Sequence, residues 1–197
     1  GQTLNDWREQ LEEAFKLDVE HVSAYGLTYE EGTTLWTQRN KGLVKVVNDD
    51  LTLEMFDFMR LKIKEHGFEA YEISNYAKPG YRSRHNSAYW EFVPYIGLGP
   101  SAHSFDGKTR QWNVASVFKY ISNITSKSPF FEKEILTLQD FYHDFIMVSL
   151  RTSEGINLET LKKKFGKELY NYCMQNAKNQ IINKNLIVNN NRLFLSE

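Results

Sequence analysis

Cysteine is almost missing: Cys173 is the only one in 197 residues. An internal disulfide is therefore impossible, and no cysteine-rich metal site can form. No apolar run approaches the roughly 20 residues that a membrane-spanning helix needs. The first residues carry neither the basic start nor the apolar stretch of a signal peptide, so a cytoplasmic protein is expected, with any membrane association peripheral. Neither charge dominates, since 24 Lys and Arg face 25 Asp and Glu for a net charge of −1. That balance argues against a broad electrostatic grip on nucleic acid. No internal repeat is evident.

Aromatic residues are plentiful at 14%. Flat rings are thus available for a core, an interface or a flat ligand. The hydrophobic share of 41% and the charged share of 25% are those of an ordinary globular chain. The length suffices for one large domain or two small ones.

Periodicity yields a coarse order of elements. Thr3 and Asp6 are spaced as a capping box, and Leu4, Trp7, Leu11, Ala14 and Phe15 then share one helical face. An apolar run predicts a strand over 19–27. The loop Thr28-Tyr29-Glu30-Glu31-Gly32-Thr33 follows it. Asp49 or Asp50 is placed to cap a helix ending at Gly67, before a second strand over 68–74. Strand, helix, strand at these lengths predicts a parallel βαβ unit with a right-handed crossover.

Further on, Ser116 opens a helix bearing Val117, Tyr120, Ile121 and Ile124. The polar link Thr125-Ser126-Lys127-Ser128-Pro129 is the candidate boundary between domains at 1–125 and 126–197. Beyond it, Thr137 with Asp140 opens a helix ending near Leu150, and Asn157 opens a short one stopped by Gly166. A third helix extends to about Asn183, and two apolar triplets around Asn189-Asn190-Asn191 read as a hairpin. That order looks like a winged-helix module. Lys162-Lys163-Lys164 reads as a solvated helix face, because neighbouring acids dilute its charge. Cys173, beside Tyr172 and Met174, reads as ordinary packing.

The chemistry concentrates in Arg84-His85-Asn86-Ser87-Ala88-Tyr89-Trp90, which follows the turn Lys78-Pro79-Gly80. A neutral imidazole is a common axial ligand for haem iron, and flat rings pack on a porphyrin face. From the residues alone, His85 is a candidate ligand or a histidine that hydrogen-bonds within a loop. Its flanks are Tyr71-Glu72-Ile73-Ser74-Asn75-Tyr76-Ala77 before and Tyr95-Ile96-Gly97-Leu98-Gly99 after. In this order the segments resemble the HemW family, haem-binding relatives of oxygen-independent coproporphyrinogen III oxidase in the radical S-adenosylmethionine superfamily. The resemblance covers essentially the whole chain and is strongest from His21 to His103.

The resemblance implies an α/β fold: the C-terminal portion of an incomplete TIM-like radical S-adenosylmethionine barrel, followed by a small helical, winged-helix-like domain of the HemN type. Gly1-Gln2-Thr3 resembles a position in mid-barrel, so a C-terminal fragment is implied. The family's Cys-x-x-x-Cys-x-x-Cys loop, which holds a 4Fe-4S cluster, is not in these residues, and no radical activity is expected of them alone. No catalytic residue is assigned. His85 is the implied haem-iron ligand, with Tyr89 or Trp90 covering the ring and Asn86 beside it.

Arg82 and Arg84 are either propionate partners or solvated surface arginines. Gly97, Gly99, Ala102 and His103, with Thr28 from the loop after the first strand, are implied contacts for S-adenosylmethionine. A glycine permits close approach to a ligand, although Gly-x-Gly is equally a plain turn. A haem-ligand role for His103 is the lesser alternative to His85. The implied function is haem binding and transfer to haem-requiring acceptor proteins, with no nucleic acid, and with self-association left open. The alternatives are a coproporphyrinogen III oxidase, whose relatives lack the His-Asn-x-x-Tyr-Trp pattern, and a partner-docking module.

Overall fold

The structure, a computed structural model, describes residues 1–196. The described residues divide into two units, residues 1–83 and residues 84–196.

In the first unit, helix α1 (Leu4–Lys16) starts as the Thr3/Asp6 spacing predicts. The Asp6 carboxylate accepts from the Thr3 N–H at 2.8 Å, and the Asp6 N–H donates to the Thr3 hydroxyl at 3.2 Å. Strand β1 (His21–Ser23) is shorter than the apolar run suggests. Thr33 caps helix α2 (Thr34–Asn40), a segment to which the sequence reading assigns no element. Helix α3 (Asp49–Glu65) is capped by Asn48, not by Asp49 or Asp50, because the Asn48 Oδ1 receives the Leu51 N–H at 2.8 Å. It ends where expected, with Gly67 at φ 77°.

The expected strand over 68–74 is instead a hairpin of β2 (Glu69–Glu72) and β3 (Asn75–Ala77). The sheet order is β1-β3-β2 with both pairings antiparallel. So β1 and β2 do run the same way, but β3 lies between them and they are not neighbours. The turn is hidden from a glycine-and-proline reading because a carboxylate makes it. Glu72, buried, accepts from the Ser74 N–H at 3.0 Å and from the Asn75 side-chain amide at 2.6 Å. Leu11, Met59, Ile63, Phe68 and Tyr76 form this unit's core, where helices α1 and α3 meet the sheet. Burial pushes the Tyr76 phenol up to about 12.

The second unit begins with helix α4 (Arg84–Trp90). Strands β4 (His103–Phe105) and β5 (Thr109–Asn113) form a hairpin. Helix α5 (Val117–Thr125), capped by Ser116 as expected, leads to strand β6 (Phe131–Ile135). This antiparallel sheet, in the order β4-β5-β6, spans the link at 125–129, since β6 pairs with β5 across it.

Helix α6 (Leu138–Arg151) opens on a Thr137/Asp140 capping box. Strand β7 (Ile156–Asn157) precedes helix α7 (Leu158–Ile182), which is broken at Gly166, where φ is 83° and ψ 174°. The expected hairpin is present as β8 (Leu186–Asn189) and β9 (Arg192–Leu195), with Asn190 and Asn191 both at positive φ. Two residues of β7 extend it to a sheet of order β7-β9-β8. Nine buried side chains, from Tyr142 to Leu193, fill the space between these helices and this sheet. Cys173 is one of them, and burial pushes its thiol up, as packing rather than chemistry requires.

Candidate functional site

Helix α4 places His85 and Tyr89 one turn apart on the same exposed side. Their rings meet edge to face at 5.0 Å and 89°. Tyr89 in turn meets Tyr95 at 4.7 Å and 78°, and Tyr95 pairs by its backbone with Phe105. The Tyr95 phenol is pushed up, first by burial and then by Tyr89. The helix stops because Phe92 turns to φ 56°, which lets the Val93 N–H reach the Ala88 carbonyl at 2.9 Å. Asn86 is half-buried. Trp90 turns inward: its indole N–H is buried without a hydrogen-bond partner among the described residues, and the Arg151 guanidinium lies 5.9 Å from the ring centre. Arg84 is exposed at the first residue of α4. In the first unit, Arg82 lies 3.8 Å from Glu69 and over the Tyr71 ring at 5.5 Å.

The glycine segment is bound up with its own chain. A Cβ at Gly97 would sit 2.0 Å from the His103 carbonyl oxygen, so glycine is needed there for backbone packing. Gly99 has φ +104° with open space around it, so its requirement is conformational. The Gly97 N–H donates to Ser104 Oγ at 2.9 Å and the Gly99 N–H to the Tyr120 hydroxyl at 3.2 Å. Both glycine carbonyls accept from the side-chain amide of Asn113, at 3.3 and 2.9 Å, while the Asn113 N–H donates to the Ala102 carbonyl at 2.9 Å. Ala102 is half-buried and His103 exposed.

Asn113 is only 3% exposed and thus clamps the segment from within. Sequence reasoning missed it. The one available signal was an asparagine at the end of a short polar strand, and that does not stand out. Thr28 is exposed in the loop after β1, in the first unit.

Also missed is the pair His21 and Tyr71, with the imidazole Nε2 2.8 Å from the phenol oxygen. Burial lowers the His21 pKa. No group of three or more His, Cys, Asp or Glu side chains fit to hold a metal ion occurs among the described residues. A metal at His85 must therefore bring its other ligands with it, as haem iron does through its porphyrin. Among the described residues, no helix is long and apolar enough to cross a membrane.

Residues 136–197 match the HemN C-terminal domain family. Over 99% of its length the chain superposes, with a TM-score of 0.76 and 14% identity, on 48% of the coproporphyrinogen III oxidase HemN from Escherichia coli, a radical S-adenosylmethionine enzyme. The class is thus an α/β chain of the HemN fold ending in a HemN-type C-terminal domain. Sequence narrows the class. The chain is 34% identical over 170 residues to the heme chaperone HemW of Bacillus subtilis, covering 86% of this chain and 45% of that protein. It is 32% identical over 171 residues to the mitochondrial radical S-adenosyl methionine domain-containing protein 1 of Bos taurus, covering 79% and 37%. It is a homologue of the HemW proteins, as the motif order implies, and spans less than half the length of these relatives.

Proposed function

We propose that this chain is the haem-handling part of a HemW-like protein that binds haem and passes it to haem-requiring acceptors in the cytoplasm. The likeness to heme chaperones over most of the chain supports the reading, and one structural observation carries it. His85 is exposed, and the Tyr89 ring one turn later meets its ring edge to face, so an exposed imidazole stands beside an aromatic ring. In that arrangement His85 supplies the axial nitrogen, Tyr89 flanks the macrocycle, and Trp90 and Asn86 lie behind. Bound haem supplies the iron and the flat apolar surface. The chain's residues bind and orient it.

In the whole protein, S-adenosylmethionine and a 4Fe-4S cluster complete the assembly, the cluster on cysteines outside these residues. Thr28, Gly97, Gly99, Ala102 and His103 are the contacts we assign to S-adenosylmethionine. The two glycine N–H groups are already engaged, so contact from this segment comes from carbonyl lone pairs and from Leu98 and Ala102.

A haemin titration of the chain, followed by absorbance, tests the reading. Saturable binding is expected, with His85→Ala changing the spectrum and weakening binding about tenfold, a loss of about 1.4 kcal/mol. Unchanged spectrum and affinity would remove His85 from the iron. The competing reading is a coproporphyrinogen III oxidase, favoured by the HemN fold alone. Decarboxylated product from a protein of the relatives' full length would establish it.

A further inference from the structure

Helix α4 is seven residues long, and none of its side chains is buried. A helix of that length has little stability of its own in water, so contacts outside it must set its direction. Its C-terminal end shows how. The Phe92 N–H donates to the Tyr89 carbonyl at 3.2 Å and the Val93 N–H to the Ala88 carbonyl at 2.9 Å, a Schellman motif with Phe92 at the left-handed position. Helices α2 and α3 close with the same pair of bonds and put Gly42 and Gly67 there. Phe92 is the one aromatic residue at positive φ among the described residues, in a conformation that its Cβ disfavours.

The ring accounts for the exception. It stacks on Phe145 of α6 at 6.5 Å and 24°. The Lys164 ammonium of α7 lies 5.2 Å from its centre and 5.7 Å from those of Phe145 and Phe165. Two residues earlier, Trp90 meets Arg151, the last residue of α6. The end of α4 is thus held by the C-terminal module, through the half-buried Phe92 and Phe145 and the exposed Lys164 rather than through the module's buried core.

We infer that Phe92 is a positioning residue for the haem-binding helix: its ring, clasped by Phe145 and Lys164, fixes α4 to the HemN-type module and so fixes the direction in which His85 meets iron. The inference rests on the haem reading for its function, while the anchoring itself is measurable without haem. A glycine at this position would end the helix at lower conformational cost but leave α4 free to swing. Binding would then have to select the productive orientation.

The test compares the parent chain with Phe92→Gly, Phe92→Tyr and Lys164→Met, by haemin titration and by amide hydrogen exchange. Phe92→Gly is expected to weaken haemin binding several-fold with the saturated spectrum unchanged, because His85 is still the ligand. It should also speed exchange at Glu91, Val93 and within α4, but not in α6 or α7. Phe92→Tyr should restore both. Lys164→Met keeps the apolar stem and loses the charge, so a loss of about two- to fivefold is expected, the size of an exposed cation–π contact. Parent affinity and parent exchange in Phe92→Gly overturn the inference and leave Phe92 as a helix stop. Exchange that quickens equally through α6 and α7 also overturns it, since the ring would then be general packing. If the parent binds no haemin, the haem reading falls and exchange alone decides the anchor: faster exchange confined to α4 and its end upholds it.

Discussion

Residues 136–196 enclose nine buried apolar side chains, whereas residues 84–135 bury only Phe105 and Asn113 among the described residues. The two stretches lie in the same unit but are held by different physics. In the later stretch, apolar area removed from water does the work, and the helix and sheet pattern follows from where that area must go. In the earlier one, backbone carbonyls and N–H groups are satisfied by single polar side chains: Asn113 for Gly97 and Gly99, Ser104 for Gly97, Tyr120 for Gly99. The candidate site sits on the second kind of support. Its shape therefore depends on a few donors and acceptors rather than on a broad core, and it leaves exposed side chains free for a ligand.

The sharpest way to break this comparison is to damage the core. Leu161 is fully buried between α6, α7 and the β7-β9-β8 sheet, so Leu161→Ala is expected to cost about 2–5 kcal/mol through lost transfer energy and the cavity left behind. Chemical denaturation should show that loss as a lower midpoint, while haemin affinity, measured where the variant is still folded, stays at the parent value. A coupled loss of affinity would mean that the site is supported by the core after all.

Asn113 tests the other half. Asn113→Ala removes the donor shared by two glycine carbonyls and is expected to cost about 1–3 kcal/mol. Asn113→Asp should do more damage, because a carboxylate would then face two carbonyl oxygens. The expected signature is local: faster amide hydrogen exchange at Gly97, Gly99 and Asn113, with the C-terminal module unchanged. Uniform destabilisation without local exchange would make Asn113 an ordinary core residue.

The same division explains what could be read in advance. The capping boxes at Thr3 and Thr137, the break at Gly166 and the Asn-rich hairpin were legible because each follows from a local rule: a side chain that matches an orphan N–H, or a residue that tolerates positive φ. The HemW likeness was legible from motif order. Neither the β4-β5-β6 sheet nor the β2–β3 turn was. The sheet's strands alternate weakly and are largely polar, and the turn is made by buried Glu72 with Asn75 rather than by glycine. The meeting of His103 and Trp112 was invisible for a related reason: they are nine residues apart in sequence and pair only through strand register.

The smallest effect sharpens the comparison at the junction of the two stretches, where Thr137 caps α6. The Thr137 hydroxyl, and next its backbone N–H, hold the Asp140 carboxyl below the ordinary carboxylate range. A folded-state value lower than the unfolded one adds stability that is present above the unfolded carboxyl pKa of about 3.9 and is lost as pH falls through the folded value. Thr137→Ala is expected to cost about 1 kcal/mol at neutral pH, as loss of a helix cap does. The hydroxyl contributes in two ways: it donates to the Asp140 carboxylate, and it accepts the Asp140 N–H at 3.2 Å. Only the first depends on pH. Parent and variant stability curves should therefore approach each other below about pH 4 without meeting. Curves that stay parallel down to pH 2 would show that the charge of Asp140 adds nothing and that the hydroxyl acts as a cap alone.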